Sequence, residues 1–474
     1  MSQDAAVAWA APWAGATVVA AGREVVTGDI AHYTILLDVG DGPNARLLLH
    51  RIVRERAPFQ PRKTAHALML LHGDFSTFTA SFAPPASGGH EGMAVHLAER
   101  DIDVWGVDRR WTSAPEGSAD LSDFPAMGFS QAISDTGLAL RFARAVRVFS
   151  GGGHDKLFLG GFSRGGHIAY SYAALEAEKP AHERLIKGLV PIDVYAAIAP
   201  EDDALRQGAC ARRDEERAQL EAGTADSDNT FFSLAGALAI EAPEDPSPLF
   251  EGYTNRGVVL ALVGQTYFFF TPTPLYHLAG GVVSEGEITG LRYSPEPAIQ
   301  SWLAAARPHQ ALAEIADGDA LWCGEGPRPE AGDLGAIEVP VFYLGAAGGF
   351  GDHGLYTLTL LGSAACRSSR FMLRATRVAA TRTHPASGPR PWYSAIRGAR
   401  SPSPTRSRIR NLCLTSSTNS GALSTLRIAP SARASISSSI ARSAARSPRA
   451  APNASSTSST CSASAPPAAR NARA

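Results

Sequence analysis

Residues 156–178 read KLFLGGFSRGGHIAYSYAALEAE. The first part is a short run apolar on both faces, as in a strand buried between two helical layers. The last part continues as a helix. Between them stands Gly161-Phe162-Ser163-Arg164-Gly165, a G-x-S-x-G pattern with a mechanical reason for its spacing. A serine on a sharp strand-to-helix turn has its hydroxyl lifted off the sheet edge, and small residues two before and two after let strand and helix approach. The N–H of Arg164, at the start of the helix, is then placed to hold a developing negative oxygen. A glycine-rich turn with a satisfied serine is the plain alternative. The strand–turn–helix context favours Ser163 as a nucleophile.

Working outward, residues 17–53 carry short runs separated by Gly-Asp and Asp-Gly turns (TVVAAGREVVTG, YTILLDVGDG, ARLLLHRIV), which predict antiparallel hairpins. Compact apolar runs follow at 67–73, 103–108, 156–163, 188–194 and 339–345, with helical patterns at 91–100, 130–147 and 165–178. Such alternation predicts a mostly parallel α/β sheet. Residues 200–335 break the rhythm with a charged segment, EDDALRQGACARRDEERAQLEAG, expected to be a solvated helix, and an aromatic, proline-rich stretch. An insertion over the sheet is expected there.

The 474 residues balance 44 Lys and Arg against 45 Asp and Glu. That near-neutral sum joins two unlike parts. Residues 353–474 hold 18 Arg and no Lys, Asp or Glu, so the preceding body carries a net −19 against +18 beyond it. In 401–474 there are 20 Ser among 74 residues, and apolar periodicity vanishes, the composition of a disordered tail. The positive segment could hold phosphates, but Trp392 and Tyr393 are its last aromatics, so no base-stacking motif is present and no specific nucleic-acid partner is expected.

Cys210, Cys323, Cys366, Cys413 and Cys461 form no CxxC pair and no even framework, which argues against a disulfide scaffold or structural zinc. The beginning, MSQDAAVAWAAPWAG, has no basic n-region, and no apolar run reaches the ~18–20 residues of a spanning helix. No membrane span and a cytoplasmic location are expected. No metal-ligand spacing, P-loop or dinucleotide fingerprint is present, so neither metal nor cofactor is expected. The sequence does not specify an oligomeric state.

With GFSRGG at the elbow, HGDF after the third strand of the α/β part, DVWGVDRRW at the fourth and VPVFYLGAAGGFG at a late strand, the chain resembles the α/β-hydrolase superfamily over about residues 20–199 and 336–363. The resemblance implies an α/β-hydrolase fold: a mostly parallel central sheet with helices on both faces, a core in 1–199 and 336–363, a lid over 200–335 and a disordered tail from 364. It also implies a serine hydrolase acting on a small-molecule ester or acyl substrate. The oxyanion would be held by the N–H of Arg164 and that of Asp74 or Phe75. His72 beside them reads equally as a packing residue.

The family's chain order is Ser, then Asp or Glu, then His. Asp352 is the last carboxylate of the chain and follows the late strand, which makes it the candidate acid, with Asp193 in PIDV as the alternative. Asp352 reads as a plain turn residue among glycines equally well. Beyond it lie only His353, adjacent to the acid, and His384 in THPASGPRP, the candidate base, with no strand before it or helix after it. A chain lacking its base would be a hydrolase-fold relic or a binding scaffold.

The tail offers a reason for that gap. A GC-rich gene read out of frame favours Ala, Arg, Pro, Ser and Gly and depletes Asp, Glu and Lys, as here. Ala379 to Thr383 can be encoded GCG GCC ACG CGG ACC, which read from the last base of the first codon gives Gly-His-Ala-Asp. Residues 364–474 are therefore expected to be disordered or out of frame.

Two further features bear on a pocket. Tyr267 to Tyr276, YFFFTPTPLY, either lines an acyl pocket or packs the insertion onto the core. Arg109 and Arg110 either steer an anionic substrate or pair with a nearby carboxylate such as Asp108.

Overall fold

A computed structural model describes residues 15–84, 92–117, 120–265, 279–325, 333–346, 350–351 and 353–362. The turn-punctuated beginning forms three long strands, β1 (Thr17–Thr27), β2 (Ile30–Asp38) and β3 (Arg46–Ala57), paired antiparallel in succession. The two-residue β4 (Gln60–Pro61) folds back on β3. The compact apolar runs become β5 (His66–Leu71), β6 (Ile102–Asp108), β7 (Leu157–Phe162) and β8 (Ile186–Ile192). The sheet order is β1-β2-β3-β6-β5-β7-β8, with β6, β5, β7 and β8 parallel and β3 antiparallel to β6.

The run at 339–345 lies beside β8 but joins it only by parallel bridges, Leu189 to Val341 and Ile192 to Leu344. Pro340 O accepts from Leu189 N at 2.9 Å, and Leu344 N donates to Pro191 O at 3.0 Å. Phe342 N also donates to Leu189 O at 2.9 Å and Asp193 N to Leu344 O at 2.6 Å, so the run keeps a parallel ladder from which the bond that Pro191, without an N–H, cannot donate is missing.

Strand residues alternate between two apolar layers. Met69 and Leu71 of β5 share a cluster with Leu140 of α3 (Phe129–Phe149) and Ile168 of α4 (Arg164–Ala177). Leu68 and Leu70 face the other way, onto Phe78 and Phe82 of α1 (Phe78–Phe82) and Val95 and Leu97 of α2 (Met93–Ala98). The expected mostly parallel sheet with helices on both faces is what the chain forms.

Residues 200–335 hold α5 (Asp203–Glu221), β9 (Asp226–Asp228), α6 (Thr230–Glu241), α7 (Asn255–Gly264), the hairpin β10 (Gly281–Ser284) and β11 (Glu287–Leu291), α8 (Glu296–Ala304), β12 (His309–Ala311) and α9 (Leu312–Cys323). Helix α10 (His353–Thr359) follows. The segment has an apolar cluster of its own, including Ala235, Ala239, Val258, Leu262 and Leu303.

Two expectations need correction here. Helix α5 is not simply solvated: Leu205 and Ala209 are buried, Arg212 donates to Asp319, and Arg217 donates to Glu325. Cys210 on α5 and Cys323 on α9 are disulfide-bonded across 113 residues. Helix packing makes that pairing, so Cys spacing along the chain carries no trace of it. The other three cysteines, the aromatic stretch at 267–276 and everything expected of 364–474 lie outside the described residues.

Candidate active site

Strand β7 ends at Phe162 and α4 begins at Arg164, leaving Ser163 alone on the turn with φ 51° and ψ −124°. A non-glycine residue there stores of the order of 1–3 kcal/mol of strain and persists only where its surroundings impose it. They do so here. Ser163 N donates to Ile192 O at 3.2 Å, and Ser163 O accepts from Gly166 N at 2.8 Å. A side chain at Gly165 would collide with the carbonyls of Leu71 and His72, so glycine is required where the helix passes β5. The elbow expected from the sequence spacing has this geometric cause.

The Gly73-Asp74-Phe75 loop after β5 packs directly on the serine: a Cβ built on Gly73 would lie 3.3 Å from Ser163 Cβ. Among the described residues, the N–H groups of Asp74 and Arg164 make no protein hydrogen bond, whereas Phe75 N donates to Gln310 Oε1 at 2.7 Å. Of the two donors left open by the sequence, Phe75 already has an acceptor. Phe75 also holds a positive φ of 43°.

A buried charged network surrounds the loop. Arg164 Nε donates to Asp74 Oδ1 at 3.3 Å, its guanidinium lies over Gly318, where any Cβ would displace it, and its Cζ is 5.7 Å from the Trp322 ring centre. Burial opposes the Arg164 charge, but Asp74 and Asp319 outweigh it and raise its pKa; burial works against the Asp74 carboxylate too, and Arg164 and Arg109 hold its pKa below the usual value. Arg109 donates from Nη2 to Gly73 O at 2.6 Å, with Nη1 3.5 Å from Glu314. Burial pushes the Glu314 carboxyl up to about 7 despite Arg109. Arg110 pairs with Asp135 at 2.8 Å. Neither arginine pairs with Asp108, which instead accepts from Phe78 N at 2.6 Å and lies 3.2 Å from His50 Nε2.

The histidines near the elbow have structural partners. His72 is fully buried, packs edge-on to Trp111 with ring centres 5.4 Å apart, and receives the Arg109 N–H on Nε2 at 3.3 Å. Burial, then Arg109, push its pKa down to about 3. His167, one turn beyond Ser163, is 2.9 Å from Tyr195 O through Nε2, and burial, then Arg164, bring it to about 3 as well. His353 pairs with Asp202 at 3.2 Å. Among the described residues, no hydrogen bond reaches the Ser163 hydroxyl.

Asp193, at the end of β8 with φ 46°, accepts on Oδ1 from Ala346 N at 3.0 Å, Phe350 N at 2.9 Å and Gly351 N at 3.3 Å. It thereby holds three backbone N–H groups that follow the late edge segment, and burial raises its pKa to about 6 against those bonds. Asp352 and His384 lie outside the described residues. Gln310, Glu314 and Asp319 were not singled out in the sequence. They lie 147–156 positions beyond Ser163 in a segment with no motif.

No family model and no curated protein matches the chain. Among solved structures, a candidate lipase from Sulfolobus solfataricus is 17% identical with a TM-score of 0.48, covering 76% of this chain and 91% of that one. A soluble variant of monoglyceride lipase from Saccharomyces cerevisiae, in complex with a substrate analogue, is 13% identical at TM-score 0.35, covering 74% and 84%. An acetyl xylan esterase from Paenibacillus sp. R4 is 17% identical at TM-score 0.25, and this chain spans 54% of its length. By its own strand order, its two helical layers and the strained serine between a central parallel strand and its helix, the chain has the fold of the α/β-hydrolase superfamily.

Proposed function

We propose that the chain is a serine hydrolase of ester-type acyl bonds, with Ser163 as nucleophile. The observation that carries this reading is Ser163 held at positive φ between β7 and α4, near the backbone N–H groups of Arg164 and Asp74, which make no hydrogen bond among the described residues. In the proposed reaction the Ser163 Oγ attacks the substrate carbonyl, and the N–H groups of Arg164 and Asp74 hold the resulting oxyanion. An imidazole accepts the serine proton and returns it to the leaving alcohol; water then releases the acyl group by the same steps. His384 is the candidate for that imidazole and Asp352 for the carboxylate orienting it, with Asp193 as the alternative acid.

Residues 200–335 are proposed as a lid over this centre, because Gln310 and the Arg307 N–H bond to the loop beside Ser163. No helix among the described residues is long and apolar enough to cross a membrane. The Cys210–Cys323 bond weighs against the expected cytoplasmic location, since disulfides persist in oxidising compartments.

A fluorophosphonate probe tests the reading: Ser163 is labelled and Ser163→Ala abolishes it. The competing reading is a relic or binding scaffold without its base. Folded protein that takes no label would establish it.

A further inference from the structure

The Phe75 peptide is held on both sides by one short segment of the 200–335 region. Its N–H donates to Gln310 Oε1 at 2.7 Å, and its carbonyl accepts from Arg307 N at 2.7 Å. Gln310 then uses its remaining polar atom on the same loop, donating from Nε2 to Asp74 Oδ1 at 2.7 Å. The side chain is 1% exposed and lies 235 positions along the chain from Phe75. The Phe75 ring is fixed as well, stacked on Phe232 with ring centres 4.8 Å apart and 5.2 Å from Trp302.

We infer that Gln310 is a positioning residue for the oxyanion site, aiming the Asp74 N–H by holding the Asp74 carboxylate and the Phe75 peptide in one geometry. The inference rests on the serine-hydrolase reading above. Two physical needs meet in this one amide. Phe75 at φ 43° is a strained backbone position that relaxes unless both ends of its peptide are bonded. Its relaxation would turn the preceding residue, on the loop that packs against Ser163 through Gly73. The Asp74 carboxylate is also a negative group close to where negative charge develops. Gln310 Nε2 and Arg164 Nε converge on its Oδ1 and compensate it. An apolar side chain meets neither need, and a carboxylate at 310 meets only the first.

The test compares Gln310→Met and Gln310→Glu with the wild type by fluorophosphonate labelling rate at Ser163, by kcat and KM on a p-nitrophenyl ester, and by melting temperature. Gln310→Met is expected to lower the labelling rate and kcat about 10- to 100-fold with KM little changed, since a misplaced oxyanion donor acts on the transition state. Gln310→Glu is expected to be impaired at pH 8 and to recover relative to wild type as pH falls, because the introduced carboxyl, once protonated, can donate to Asp74 as the amide does. A purely structural residue would move the melting temperature without that pH-dependent ratio.

Wild-type labelling with an unchanged rate in Gln310→Met, or a flat ratio for Gln310→Glu, overturns the positioning role alone. Unlabelled wild type overturns the hydrolase reading and this inference with it.

Discussion

Arg164 Nε donates to Asp74 Oδ1 at 3.3 Å, so the residue after the serine and the residue on the facing loop are tied by their side chains. Their backbone N–H groups are the pair that makes no hydrogen bond among the described residues. The ion pair thus sets the spacing of the two donors. It also fixes a preceding-strand loop to the start of α4, elements 90 positions apart.

Removing the acid of this pair leaves a buried guanidinium with less compensation. Asp74→Ala is expected to lose about 2–4 kcal/mol, less than a fully buried pair would because the Asp74 side chain is 28% exposed and Asp319 remains nearby. Asp74→Asn, which keeps an acceptor for Gln310 and Arg164, should lose less. Urea unfolding of the two variants checks the order.

Asp193 separates a structural role from an acid role. Burial raises its pKa to about 6, above the ~3.9 of an unfolded carboxyl, so the folded state binds the proton more tightly. Its charge therefore destabilises progressively as pH rises from about 4 through 6, and Asp193→Asn should be as stable as wild type or more stable at pH 8. If the variant still takes the fluorophosphonate label at the wild-type rate, Asp193 is not the acid of the reaction.

His72 and His167 predict acid sensitivity. Both are brought to about 3 when folded, below the ~6.5 of an unfolded histidine, so the unfolded chain takes up protons first. Stability attributable to them is complete above pH 6.5 and lost as pH falls toward 3, at most about 4–5 kcal/mol each. Melting temperature should drop across that window. Replacing His167 with Phe should flatten the drop, unless the lost bond to Tyr195 O unfolds the chain at every pH.

The Cys210–Cys323 bond closes a loop of 113 residues, which in the chain-entropy model stabilises by about 4–5 kcal/mol. Mass spectrometry of alkylated protein should show these two thiols protected until reduction. Reduction, or Cys210→Ala, should lower the urea midpoint.

The gene across codons 355–400 tests the tail. The expected outcome is an alternative frame encoding a strand, a Gly-His pair and a closing helix near codons 379–383. If no frame does so, the misreading hypothesis fails and His384 remains the candidate base.

Legibility followed range. The strand–turn–helix around Ser163 was readable because its three parts are contiguous; Gly161 answers to Gly165 and Gly166 just beyond it, whereas the need for glycine at 165 comes from the carbonyls of Leu71 and His72 on a distant strand. The central parallel strands and their helices were readable for the same reason: burial on two faces writes itself into uninterrupted apolar runs such as ALMLL. The late run VPVFYLG does lie parallel beside β8, but as bridges and not a continuous strand, because Pro191 on its neighbour withholds one ladder bond.

What the sequence by itself determined was therefore local: where strands turn into helices, which serine sits at the turn, and where the composition changes beyond Asp352. What only the tertiary structure decided was which distant groups meet there. Gln310 on the loop after β5, Arg164 over Gly318, Asp193 bonded to Ala346, Phe350 and Gly351, and Cys210 against Cys323 are contacts across about 110 to 240 positions. Periodicity records whether a side chain faces inward. It does not record which inward-facing partner it will find, because that depends on how separate elements pack.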